Sequence, residues 1–339
     1  MINRILPAEW YPQSFVQLTW PHINSDWHDD IEEVTKCFVR LATEIIKHEK
    51  VLIVCPNAED VKNQLNFDTY ENVYFVEMQT NDTWARDHGM ITTFEGSEII
   101  VNDFVFNGWG MKFAANYDNK ISNQLYKEGV FSNAKYVNRF PFVLEGGSIE
   151  SDGMGTILTT EHCLLSKNRN EYLSKSEIED RMYDYFGVSR VLWLKHGYLA
   201  GDDTDSHIDT LARFCNVNTI AYVSCNDKND EHYDELKAME KELQEFRNEK
   251  GEPYQLVALP MAEPIFNGDE RLPATYANFL ICNNAVLVPT YDCPQDEEAL
   301  NVIKTCFPDR EVVGLDCQVL IKQHGSLHCV TMQYPCGVV

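Results

Sequence analysis

Polar loops of unusual composition recur along this chain at a nearly even interval, and that interval constrains the fold more than any other feature. Each follows a short β-rich run: NDTWARDHG, LEGGSIESDG, DDTDSHIDT and HGSLHCVT. With Asp87, Glu145, His207 and Cys329 as markers, the steps are 58, 62 and 122 residues. The period is therefore near 60, with one beat missing close to position 267, where the loop MAEPIFNGDERLP follows QLVALP. Five copies of one supersecondary unit suggest a closed ring. Loops at matching ends of the units would converge on one axis and bring together reactive residues that are far apart in sequence.

Between the loops, helical and strand patterns alternate. Ile31, Val34, Phe38, Leu41 and Ile45 recur at helical spacing in a predicted helix over 27–48. Further helices are expected over 176–186, 230–249 and 296–306. Runs starting at Val51, Asn72, Arg190, Thr219, Gln255 and Ala285 read as strands. The alternation belongs to the α/β class. No Pro/Gly/Ser linker divides the 339 residues, a length that suits two average domains or one large one.

The chain has 53 acids against 28 bases, a net charge of −25. Such a surface repels phosphate backbones, so nucleic acid is not an expected partner, and it raises the encounter rate with small cations. No segment approaches the ~20 apolar residues that span a bilayer, and MINRILPAEWYP has no run like that of a signal peptide. Eleven cysteines without a CxxC pair suggest reduced thiols in a cytoplasm. Most, such as Cys55, Cys215 and Cys282, sit in apolar runs as small core residues.

The stretch GDDTDSHIDTLARF packs charge beside an apolar run. An EF-hand needs Gly at the sixth position and Glu at the twelfth. Counting from Asp203, those positions hold Ile208 and Phe214, and zinc-type histidine spacing is missing, so no metal is expected. Read as a strand entrance, His207 and Asp209 share one face while Ile208 enters the core. A histidine beside a carboxylate is a proton-transfer unit, or simply a loop pair that satisfies itself. In GSLHCVTMQYP, Leu327 and Cys329 would share a strand face after Gly325 and Ser326. Cys329 reads as a nucleophile or as another core cysteine. Trp84, Asp87 and Glu145 offer an aromatic wall and two carboxylates, a receptor for a planar cation such as a guanidinium. Taken alone, WARD could equally be a surface Arg–Asp pair beside a core tryptophan.

Together these residues carry a resemblance. The chain resembles the agmatine deiminases, within the bacterial-type peptidylarginine deiminase family of guanidine-modifying enzymes. The likeness runs nearly end to end, through LPAEWYPQSFVQLTWPH, NDTWARDHG, FVLEGGSIESDGMGTILTTEHCLLSKNRN, DDTDSHIDTLARF, RLPATYANFLICNNAVLVP and GSLHCVTMQYP. It implies one catalytic domain over 1–339, a five-bladed pseudo-symmetric α/β propeller (a pentein) of ~60-residue ββαβ-type units. It implies hydrolysis of agmatine to N-carbamoylputrescine and ammonia through a cysteine thiouronium, with neither metal nor organic cofactor. Cys329 would be the nucleophile and His207 the general acid and base. Asp87 and Asp209 would grip the guanidinium, Glu145 would sit beside His207 and the substrate, and Trp84 would line the pocket. A cytoplasmic homo-oligomer serving putrescine biosynthesis is also implied.

The sequence departs from that pattern beside the pocket. His88-Gly89-Met90 stands where a proline commonly follows the glycine, and His324-Gly325-Ser326-Leu327-His328 where glycines and Asn-Ile-His are usual. The substrate tail therefore stays open: arginine or a C-terminal peptidyl arginine are alternatives by the same chemistry. So are amidino transfer to an amine and a non-catalytic cation-binding propeller. Arg213, four residues after Asp209, could meet a substrate carboxylate or form an internal salt bridge.

Overall fold

A computed structural model of the chain describes residues 4–339. The expected helical face is present in Ile31–Ile45, which buries Val34, Phe38, Leu41, Ala42 and Ile45. Each large apolar side chain so buried contributes about 1.5–3 kcal/mol. The helix starts later than the pattern suggested because His28–Asp30 is a separate 3-10 turn. The expected helix over 176–186 is Lys175–Phe186, started by a capping box between Ser174 and Glu177 and stopped by Gly187 at φ 68°.

Five sheets share one order: a strand, an antiparallel neighbour, then a third strand parallel to the second. They comprise Ile91–Glu95, Glu98–Val105 and Ala134–Val143; Ile149–Ser151, Thr156–Thr160 and Arg190–Leu194; and Ala212–Asn216, Thr219–Val223 and Gln255–Leu259. The fourth has Leu280–Ile281, Ala285–Thr290 and Glu311–Asp316. The fifth has Thr331–Pro335, Gln13–Thr19 and Lys50–Cys55, so both ends of the chain meet in one sheet. Val73–Glu77 and Arg4–Ile5 add edge strands to the fifth and first sheets. A parallel pair needs a crossover. Ile31–Ile45, Asp118–Lys127, Lys175–Phe186, Tyr233–Glu245 and Asp296–Cys306 supply one per sheet. The middle strands Thr156–Thr160 and Thr219–Val223 are buried at every residue, as strands covered on both faces must be. The protein is thus a mixed α/β fold. Among the described residues, no helix is long and apolar enough to cross a membrane.

The recurring loops immediately precede the first strand of each sheet. The missing beat, however, is not the loop near 267. Phe266–Asn267 and Glu270–Arg271 form a separate hairpin, and the residue in the equivalent place is Asn278, just before Leu280–Ile281. The inserted hairpin stretches that step to 71 residues and leaves 51 to Cys329, which is why the even period pointed too early.

The strand-face readings are also corrected. Ile208–Thr210 is a 3-10 turn, and Cys329 lies in the turn before Thr331–Pro335. Short side chains take the carbonyls that a strand ladder would use. Ser148 Oγ donates to Glu145 O at 2.6 Å, Thr210 Oγ1 to His207 O at 2.8 Å and Thr331 Oγ1 to His328 O at 2.9 Å. The same three-residue device thus turns the chain at three of the loops.

Candidate active site

The turns bring Asp87, Glu145, His207, Asp209 and Cys329 together, all buried. Asp87 sits in the one-turn helix Ala85–His88. Its Oδ1 lies 3.6 Å from His207 Nδ1 and accepts the Gly147 N–H at 3.0 Å, while its Oδ2 accepts Trp109 Nε1–H at 2.9 Å. A Cβ added to Gly147 would lie 2.7 Å from His207 Nδ1, 2.9 Å from Asp87 Oδ1 and 3.0 Å from Asp209 Oδ2. The bare glycine is therefore what lets these three groups converge. Gly325 has a similar use: a Cβ there would overlap the Trp84 ring, so this glycine makes room for an indole and not for a ligand.

Glu145 lies beside His207 and is held by Arg169, whose Nε donates to both carboxylate oxygens at 2.9 and 3.0 Å. Donor atoms of Glu145, Cys163 and His207 fall within 4.8 Å of one another, a mixed O, S, N set that could share a metal ion. The Arg169 guanidinium already supplies the positive charge at that carboxylate. Burial alone would strip the proton from His207. Asp87 foremost, with Cys163 and Glu145, outweighs it and holds the imidazole protonated well above its ordinary range. Burial, reinforced by Asp209 and Asp87, pushes the Cys329 thiol well up, and its Sγ–H donates to Asn278 Oδ1 at 3.3 Å. Burial would also lift Asp209, yet the His328 hydrogen bond and neighbouring positive charge hold its carboxyl below the usual carboxylate range.

An open pocket of about 410 Å3 descends to Asp87 and Cys329. Trp84, Trp109 and Phe113 give it apolar walls, Asp26, Asp82 and Asp203 add negative charge, and His324 is the basic side chain at its edge; among the described residues no lysine or arginine lines it. Trp84 Nε1–H donates to Asp82 Oδ2 at 2.9 Å, which fixes the indole. Burial lifts Asp82 and Asp203 to about 6 each.

Arg213 lies away from this pocket. It is fully buried, paired with Glu9 at 2.6 Å and with Glu150, and donates to Phe279 O at 2.6 Å. Of its two expected roles, the internal salt bridge is the one observed. Sequence reasoning missed Trp109, Cys163, Arg169, Asn278 and His328. The three-residue spacing to Ser or Thr marks the turns at Glu145, His207 and His328, whereas Asn278 and Trp109 carry no comparable signal.

Fold and site together define a mixed α/β protein with a buried cysteine–histidine–carboxylate centre at the foot of an acidic, aromatic pocket. The chain belongs to the Porphyromonas-type peptidyl-arginine deiminase family, whose sequence profile it matches over residues 5–335. It is 55% identical to a Porphyromonas gingivalis structure provisionally named an arginine deiminase, over 99% of each chain, with a TM-score of 0.96. It is 38% identical to a Cys-to-Ser variant of C. jejuni agmatine deiminase with substrate bound, over 98% of this chain and 96% of that one, with a TM-score of 0.91. Agmatine deiminase of Medicago truncatula is 33% identical over 97% of this chain and 96% of its own length.

Proposed function

We propose that the protein is an agmatine deiminase, hydrolysing agmatine to N-carbamoylputrescine and ammonia. The observation that carries this reading is the convergence of Cys329, His207 and the carboxylates Asp87 and Asp209 below a pocket lined by three further aspartates. A guanidinium is a poor electrophile. Held between Asp87 and Asp209, it is oriented toward sulfur. Its charge also offsets the two carboxylates that keep Cys329 protonated, which favours the thiolate.

The thiolate forms an S–C bond to the guanidinium carbon. His207 gives its proton to an amino nitrogen, the C–N bond breaks and ammonia leaves, so a thiouronium remains on Cys329. Neutral His207 then takes a proton from water as the water oxygen bonds to carbon. The S–C bond breaks as the adduct loses its hydroxyl proton to solvent, where the released ammonia takes it up as ammonium; the ureido product departs and Cys329 returns as thiolate beside protonated His207. Glu145, fixed by Arg169, supports the charged imidazole, and Trp84 walls the pocket. These steps need neither metal nor cofactor.

The pocket charge favours agmatine over arginine. The protonated amine of agmatine would face Asp26, Asp82 and Asp203, whereas the carboxylate of arginine would meet the same acids, with neither lysine nor arginine among the described lining residues and His324 alone to offset them. We propose further that the five like-ordered sheets are blades of a pseudo-symmetric α/β propeller forming one catalytic domain over 1–339; their shared strand order supports this. Eleven unpaired cysteines fit a reducing cytoplasm, and the product fits putrescine formation. The test is ureido-product formation from agmatine, arginine and a peptide ending in arginine. Turnover of agmatine alone is expected; turnover of arginine with none of agmatine would move the substrate, and turnover of none would sink the reading.

A further inference from the structure

Asp209 reaches the site with one oxygen committed. Its Oδ2 lies 2.7 Å from His328 Nδ1, while Oδ1 is buried without a protein partner. His328 is itself clamped. Its backbone N–H donates to Asn278 Oδ1 at 2.9 Å, and its Nε2 lies 2.7 Å from Glu9 Oε2 and 3.1 Å from Arg213 Nη2. Glu9 is held in turn by the Ile281 N–H at 2.7 Å and by Arg213 at 2.6 Å. The far side of this cluster borders a second cavity, lined by Glu9, Arg86, Glu150 and His328 among others, which shares no lining residue with the substrate pocket.

The geometry fixes the proton on one ring nitrogen. Nε2 faces an acceptor, Glu9, and a donor, Arg213, so it can either donate or accept. Nδ1 has no such choice, because an ionised Asp209 only accepts. In both ring states Nδ1 therefore carries a hydrogen aimed at Oδ2, and the second nitrogen only anchors the ring. Asp209 cannot rotate without breaking this bond.

Resting on the deiminase reading above, we infer that His328 is a positioning residue for the substrate: it pins Asp209 through Nδ1–H so that Oδ1 is the oxygen presented to a guanidinium N–H. His328 touches neither substrate nor the reacting atoms in this arrangement.

Side-chain amides separate the two ring nitrogens. In His328→Asn the amide nitrogen falls near Nδ1; in His328→Gln it falls near Nε2. Loss of a hydrogen bond to a charged group corresponds to roughly 10–100-fold in an equilibrium constant. His328→Asn is expected to keep kcat and KM for agmatine within about fivefold of the parent, whereas His328→Gln loses roughly 10–100-fold in kcat/KM, mostly through KM. A merely structural role would not distinguish the two amides except through melting temperature. Equal effects of Asn and Gln, or losses that track thermal stability, overturn the inference.

A cycle with Asp209→Asn keeps the test sharp should His328→Asn fold poorly. His328→Gln is expected to cost little more once Asp209 is neutral, and additive losses count against the idea. Protection of Cys329 from iodoacetamide by guanidinium chloride reads binding without turnover. Parent protein that shows this protection but no agmatine turnover refutes the deiminase reading alone. Parent turnover with Gln matching Asn refutes the role of His328 alone.

Discussion

Replacing Gly147 with alanine perturbs the centre of the site by one methyl group. The backbone permits it, since Gly147 is not among the positive-φ glycines. The added Cβ would stand 2.7 Å from His207 Nδ1, 2.9 Å from Asp87 Oδ1 and 3.0 Å from Asp209 Oδ2. Carbon rarely approaches such atoms closer than about 3.4 Å, so all three groups must retreat, by about 0.4 to 0.7 Å. Three converging groups share the overlap, so no single rotation relieves it. A misplacement of about 1 Å near a reacting centre costs about a hundredfold, or about 2.7 kcal/mol of transition-state stabilisation. Gly147→Ala is therefore expected to lower kcat/KM for agmatine between about 10- and 100-fold while the melting temperature shifts by only a few degrees. The assay is ureido product against agmatine concentration, with thermal unfolding on the same sample. Activity within threefold of the parent would refute the reasoning, because it would mean the three groups can part without consequence.

Other consequences are as direct. Arg213→Met strands the buried carboxylates of Glu9 and Glu150, so it is expected to cost about 3–5 kcal/mol of stability in thermal or urea unfolding; a change confined to arginine selectivity would restore the substrate-contact role. Iodoacetamide attack on Cys329 in the substrate-free protein is expected to rise about tenfold per pH unit from pH 7 to 9 without levelling, because the thiol is held up; a plateau below pH 8 contradicts this. Asp82, lifted to about 6, is neutral below that pH and charged above it. Asp203 is lifted to the same range, so KM for agmatine is expected to fall roughly three- to tenfold between pH 5 and 7, Asp82→Asn to reduce that fall and Asp82→Asn with Asp203→Asn to remove it; an unchanged profile in the double variant would assign the titration elsewhere.

The sequence disclosed the groups that carry charge or a thiol in odd surroundings. Cys329, His207, Asp87, Asp209 and Glu145 stood in polar loops at a steady interval, and the interval survives because each loop opens a new sheet. What it misjudged was how they are held. His207 and Asp209 are set by a 3-10 turn, since Thr210 takes the carbonyl of His207, and a period-two argument cannot register that capture. Asn278 escaped notice because a hairpin insertion displaced its beat and because a neutral amide in an apolar run carries no charge pattern. Trp109 holds Asp87 from a segment flanked by glycines, at φ 54°. Nothing in local composition ties that segment to Asp87. Arg213 could be read two ways because its partners, Glu9 and Glu150, are remote in sequence.

Acid-quenched mass spectrometry during agmatine turnover tests the central claim most directly. A chemical intermediate on Cys329 should add the mass of agmatine less ammonia to the peptide containing that residue, and Cys329→Ala should show neither adduct nor product. Product formation by Cys329→Ala, or an adduct on any other residue, would contradict the account.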